Sequence, residues 1–144
     1  MAKEAYFLID CERTSESIGE VIALFNRAGW KWANNDGNVE YVPEDDDLYE
    51  WTEKSISEEE LMAYVLDKEK AGQQVVLHLF DEQSDAGVTF IAKSTKEIML
   101  GLDINVRRNV DGSFDRGWYD ENLIARVRQQ GCGIDGIEYQ EYEG

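Results

Sequence analysis

The sequence predicts an α+β fold: a mixed, mainly antiparallel sheet with about three helices, in the order β-α-β-β-α-β-β-β-α-β. Three observations carry this expectation. Apolar residues recur at helical spacing in three segments, each with a capping residue ahead of it or a glycine behind it. Residues 97–106 alternate strictly, with Ile98, Leu100, Leu102, Ile104 and Val106 on one side. Short polar turns such as Asp36-Gly37 and Asp111-Gly112 separate neighbouring apolar runs, as hairpins require. Hairpins outnumber crossovers, so the sheet is expected to carry its helices on one face. A chain of 144 residues without an internal repeat or a linker fits one domain, residues 1–144.

In order along the chain, residues 5–11 (AYFLIDC) are a buried strand bounded by charge. Ile18, Val21, Ile22 and Phe25 then repeat at i, i+3, i+4 and i+7, with Ser15 or Ser17 as the cap, Ser17 and Glu20 at capping-box spacing and Gly29 closing the helix. Trp30-Lys31-Trp32 and residues 39–42 read as a strand pair across Asn34-Asn35-Asp36-Gly37, and Pro43 ends it. Residues 44–54 are acidic and irregular. Ser57 and Glu60 form a second capping box, with Ile56 and Leu61 as the hydrophobic staple and Leu61, Met62, Val65 and Leu66 as the buried stripe. Residues 75–80 read as a central strand, 88–93 as its hairpin partner and 97–106 as the next strand. A third helix is expected over 121–130, capped by Asp120, with Leu123, Ile124 and Val127 inward, followed by a last strand over 134–142. Residues 5–80 taken alone read βαββαβ, the order of a split-βαβ unit.

Composition excludes several functions. The 31 acids and 14 bases leave a net charge of −17 and an isoelectric point near 4.3. Binding to nucleic acid lacks the clustered Lys and Arg that would neutralise phosphates, and an anionic membrane surface is excluded on the same ground. Residues 5–9 are the only apolar run near the start, shorter than the roughly 7–15 residues of a signal peptide core. No stretch approaches the ~20 apolar residues of a membrane span. The expected location is therefore cytoplasmic, with Cys11 and Cys132 as reduced thiols.

Catalytic groups are scarce. His78 is the sole histidine, and its place on a strand among Val75, Leu77 and Leu79 suits a packed or hydrogen-bonded residue. Cys11 lies ahead of a helix but has no arginine at the spacing of a phosphate-cradling loop. Gly131-Cys132-Gly133 reads as a flexible, exposed turn. One histidine and two distant cysteines cannot build a zinc site of ordinary spacing. Asp111, Ser113 and Asp115 imitate a calcium loop, but Arg116 and Asn122 occupy the positions that need Gly and Glu. No cofactor, no metal site and no catalytic residue are expected, so the chain reads as a binding protein and not an enzyme.

The charge is concentrated. Between Asp36 and Glu60 there are eleven acids against Lys54 alone. Glu58, Glu59 and Glu60 suit a helix N-terminus, but residues 44–53 gather like charge in a loop at an electrostatic cost. Glu44, Asp45, Asp46, Asp47, Tyr49, Glu50, Trp51 and Glu53 form the candidate partner-binding site. Carboxylates there would steer a basic protein, and rings would supply buried contact area. Tyr41, Trp30 and Trp32 lie close in sequence. The tail repeats the theme, with Glu138, Glu141 and Glu143 interleaved with Tyr139 and Tyr142.

A small, strongly acidic α+β chain with the segment Glu44-Asp45-Asp46-Asp47…Tyr49-Glu50-Trp51 resembles the immunity proteins of bacterial polymorphic toxin systems, including those of contact-dependent growth inhibition. The resemblance lies in whole-chain character and in no signature motif. It implies a toxin inhibitor that binds a cognate toxin domain, often a basic nuclease, and occludes its active site. Three other readings stay open: a nucleic-acid mimic directed at a defence protein, an enzyme using paired carboxylates with Mg²⁺, and an adaptor whose acidity is incidental.

Overall fold

A computed structural model describes residues 3–44 and 50–143. Its eight strands form one sheet: β1 (Glu4–Asp10), β2 (Trp30–Lys31), β3 (Val39–Tyr41), β4 (Thr52–Lys54), β5 (Val75–Asp81), β6 (Gly87–Ser94), β7 (Glu97–Ile104) and β8 (Gly136–Tyr142). Their spatial order is β4-β3-β5-β6-β7-β1-β8, with β2 also pairing along β5. Every strand pairing among the described residues is antiparallel.

Alternation decides what each face of the sheet carries. The registers set Tyr139, Phe7, Leu100, Phe90, Leu77 and Tyr41 in one row across six strands. Phe7, Leu100, Phe90 and Leu77 are wholly buried, and this is the inner face. Helix α1 (Ile18–Arg27) lays Ile18, Val21, Ile22 and Phe25 against it, and the Phe25 ring meets Phe90 edge-on at 5.8 Å. Ser17 caps α1 through the Glu20 amide, but the expected box stays half-formed, because the Glu20 carboxylate accepts from the Glu16 amide at 3.1 Å and not from that of Ser17. Helix α2 (Glu58–Lys70) begins with the expected capping box on Ser57 and Glu60, and buries Leu61 and Val65. Leu66, expected inward, is instead 46% exposed.

The third helical stretch starts earlier than its apolar spacing suggests. Asp115, not Asp120, is the cap, accepting from the Trp118 amide ahead of α3 (Arg116–Tyr119). A π-helical turn (Asp120–Ile124) follows and leads into α4 (Ala125–Gln129). The wide turn is held from both sides: Asn122 Nδ2 donates to the Trp118 carbonyl at 2.9 Å, and the Asn122 carbonyl accepts from Trp30 Nε1 at 2.8 Å. Single π turns of this kind interrupt helices where a local partner makes the wider geometry worthwhile.

Three pairings differ from the sequence expectation. The turn at residues 34–38 forms, but its arms share one bridge, Ala33 with Val39, and then both turn to the edge of β5. The βαββαβ order of residues 5–80 does not close into a split-βαβ unit, because β1 takes β7 and β8 as partners. Residues 52–54, expected to be irregular, form β4 because β3 offers an open edge.

Candidate functional site

The outer face of the sheet starts from the same alternation. Residues one step from the inner row are Gln140, Tyr6, Gly101, Thr89 and His78, in register across five strands. Glu40 joins the row at His78 and pairs with Glu53 on β4. By strand alternation this face carries Glu4, Asp10, Glu40, Glu53, Glu97, Asp103 and Glu138 against Lys31 and Lys93. The helices lie on the other side, so the face they leave is strongly acidic.

At the β4 end, Glu40 and Glu53 stand directly opposite each other, an arrangement that like charges disfavour. Asn34 resolves it. Its Oδ1 accepts from the Asp36 and Asn38 amides, each at 3.0 Å, which fixes the side chain. Its Nδ2 is thereby turned to both carboxylates, 2.8 Å from Glu40 and 2.9 Å from Glu53. Asn38 Nδ2 donates to Glu53 as well, at 3.1 Å. The Asn38 and Asn34 amides hold the Glu53 carboxyl below the usual carboxylate range. The remaining Glu40 oxygen accepts from His78 Nδ1 at 2.8 Å, which fixes the ring's plane and puts its proton on Nδ1. Trp51 lies flat on that imidazole, with centroids 3.8 Å apart and planes 22° apart, and remains 42% exposed. His78 is thus the packed, hydrogen-bonded strand residue expected of it, and it is also the platform that holds Trp51 at the surface.

Further along, Gly101 leaves a gap in the row that the Asp103 carboxylate occupies, since a Cβ at Gly101 would sit 3.3 Å from Oδ2. Thr89 Oγ1 donates into this carboxylate, 2.9 and 2.7 Å from its two oxygens. Asp103 is exposed as a residue, but its oxygens are held close to Thr89 and Gly101. Desolvation there pushes the carboxyl above its ordinary range, partly offset by Thr89 and by the nearby His78. A raised native value means the folded state holds this proton more tightly than the unfolded chain. Its stabilising contribution is full at low pH and is lost as pH rises through the native value. Asp103→Asn should therefore gain stability relative to wild type as pH rises from acid to neutral. Denaturant midpoints across that interval check this, and a variant that loses stability relative to wild type as pH rises would refute it.

At the β8 end, Tyr6 donates to Gln140 Oε1 at 2.9 Å and stacks on Tyr142 at 5.5 Å. The hydrogen bond with Tyr142, followed by desolvation, raises the Tyr6 phenol to about 12, so it stays neutral at physiological pH. Two shallow clefts flank the row. One, about 310 Å³, is lined by Asn34, Glu40, Glu53, Asp81 and Asp85, and the other, about 370 Å³, by Glu4, Tyr6, Met99 and Asp103.

Of the residues selected from the sequence, Glu44, Glu50 and Glu53 are exposed and Trp51 is half-exposed. Asp45, Asp46, Asp47 and Tyr49 lie outside the described residues. Two neighbouring aromatics are not surface groups: Trp30 is wholly buried and Tyr41 is 6% exposed, both in the core. Tyr139 of the tail turns inward onto Phe7, 5.1 Å between centroids. Glu4, Glu40, His78 and Asp103 were missed as members of one surface, and the strand periodicity that unites them shows only once the register is known.

Among the described residues no three His, Cys, Asp or Glu side chains converge to hold a metal ion. The calcium-like Asp111 and Asp115 serve a turn and a helix cap: Asp111 accepts from the Ser113 amide and hydroxyl, and Asp115 from Trp118. No helix among the described residues is long and apolar enough to cross a membrane. Fold and site together define an antiparallel α+β protein with an acidic, aromatic-flanked sheet face. No family model, curated protein or solved structure matches the chain.

Proposed function

We propose that this chain is a binding protein that neutralises a basic partner, of the kind that immunity proteins provide against cognate toxin domains. The observation that carries the reading is the sheet face left by the helices, with seven acids against two bases and Trp51 held flat at its margin. A face of this sign draws in a basic protein at rates 10–10³ above those of an uncharged surface. It would repel nucleic acid. In this reading the partner is a basic toxin domain, such as a nuclease, and inhibition comes from covering its active site, with carboxylates where phosphates would otherwise lie. The chain itself acts without cofactor or catalysis, in the cytoplasm where such a toxin would do its damage.

The test begins with capture of a partner at low and raised salt, followed by kinetics with the purified pair. Glu44→Lys/Glu50→Lys/Glu53→Lys should slow association at least tenfold and flatten its salt dependence, with dissociation little changed. A second set, Glu4→Lys/Glu138→Lys, reads whether the interface extends to the β8 end. A captured protein that is acidic, or a toxin still active when saturated with this chain, would sink the proposal. The nucleic-acid-mimic reading differs in its partner: a defence protein that gives up DNA or RNA when this chain binds.

A further inference from the structure

Cys11 and Cys132 are 121 residues apart in sequence, yet their sulfurs meet at 3.5 Å in the core. Cys11 follows β1, and Cys132 lies between α4 and β8, in the loop of residues 131–135. Both are free thiols and both are buried, at 0% and 2% exposure. The exposed turn expected around Cys132 is therefore folded inward. Three hydrogen bonds tie the segment to the chain around the end of β1: the Gly133 amide donates to Thr14 Oγ1 at 2.9 Å, Thr14 Oγ1 to the Gly133 carbonyl at 3.2 Å, and the Asp135 amide to the Asp10 carbonyl at 2.8 Å. These bonds bring the loop onto the end of β1 and set the two sulfurs side by side.

We infer that Cys11 and Cys132 form a reversible two-electron redox site, closing to a disulfide that staples the loop of residues 131–135 to the end of β1. A small-molecule disulfide such as oxidised glutathione is the oxidant. The Cys132 thiolate attacks one of its sulfurs and releases one thiol. The Cys11 thiolate then attacks the Cys132 sulfur of the mixed disulfide and releases the second. One protein dithiol and one small disulfide thus become one protein disulfide and two small thiols, and the two thiol protons leave with the departing thiolates. Cys132 is the group suited to begin: the shared hydrogen bond lowers its thiol and raises that of Cys11, and Arg128 favours the Cys132 thiolate further. Burial keeps both sulfurs from the oxidant until the loop opens, so closure is slow and governed by that opening. Once formed, the bond encloses a very long loop, the situation in which a cross-link restricts the unfolded chain most. This site is independent of what the acidic face binds.

The experiment equilibrates the whole folded protein in a glutathione buffer with the oxidised form in excess, then quenches it in acid. Intact mass should fall by two hydrogens with no glutathione attached, free thiols in denaturant should go from two to none, and Tm should rise by roughly 5–15 °C. Dithiothreitol should reverse all three. Cys11→Ser should instead stop at a glutathione adduct on Cys132, since nothing remains to resolve it. Two intact thiols at equilibrium, wild-type protein that keeps its adduct, a disulfide-linked dimer, or a cross-linked monomer with lowered Tm would each overturn the inference.

Discussion

Arg126→Leu is expected to cost about 3–5 kcal/mol of stability, the range seen when one partner of a buried ion pair is removed. Arg126 Nη1 donates to Asp81 Oδ1 at 2.9 Å, with side-chain exposures of 14% and 2%. Its Nε donates to the Ala28 carbonyl at 2.9 Å, and the guanidinium packs 5.9 Å from the centre of the Trp30 ring. One side chain on α4 thus fastens the end of α1 and the end of β5. Gly29 makes room for it: this residue sits at φ +97°, and a Cβ there would collide with the guanidinium. After the substitution, Asp81 keeps donors from the Gln83 amide at 3.1 Å and Ser84 Oγ at 2.7 Å, but no cation. The uncompensated carboxylate is the main loss, and that makes a second variant informative. Adding Asp81→Asn to Arg126→Leu should restore part of the stability, because the buried charge is then gone. Urea unfolding of the two single variants and the double variant measures this. A cost below about 1 kcal/mol for Arg126→Leu would show that the pair contributes little, and no recovery in the double would show that the loss comes from packing and the Ala28 bond instead of the unpaired carboxylate.

The parts of this fold that could be read from the sequence are those whose cause is local. The Ser57–Glu60 capping box and the α1 stripe each lie within a few residues and form where expected, and the alternation of β7 holds as far as Ile104, where Asn105 at φ +45° ends it short of Val106. What could not be read depends on partners far along the chain. The strand at 52–54 exists because β3 has an edge to fill, and β1 chooses β7 and β8 over any strand of residues 5–80. The third helix begins five residues early because Asp115 finds the Trp118 amide, and its π turn presents a carbonyl to Trp30, 92 residues away. The site divides in the same way. Net charge and the acidity of residues 44–53 are visible in the composition. The grouping of Glu40, His78, Asp103 and Tyr6 on one face is a property of register. Nearness in sequence misled for the rings: Trp30 and Tyr41 neighbour the acidic segment but face the core, Trp32 is part-buried against it, and Trp51 is the exposed ring among the described aromatics there.

Trp51→Ala is the substitution expected to separate binding from folding most sharply. The ring rests on His78, whose orientation Glu40 sets and whose own edge meets Phe80 at 6.0 Å. Its contact face is therefore held before any partner arrives, and little side-chain freedom remains to be lost on association. A preset tryptophan beside carboxylates has the character of an interface hot spot, for which truncation costs 2 kcal/mol or more. In the complex proposed above, Trp51→Ala should weaken binding by about 30-fold, almost all of it as faster dissociation. Charge reversal at Glu44, Glu50 and Glu53 acts on the other rate, so the two sets of variants should move association and dissociation separately. The free protein should lose little, since 42% of the residue already faces solvent and the Glu40–His78 bond does not need it. Surface-binding kinetics and thermal unfolding of the same variant decide the matter. Unchanged dissociation with intact folding would place the interface elsewhere on the acidic face, and a collapse of stability would make Trp51 a packing residue instead.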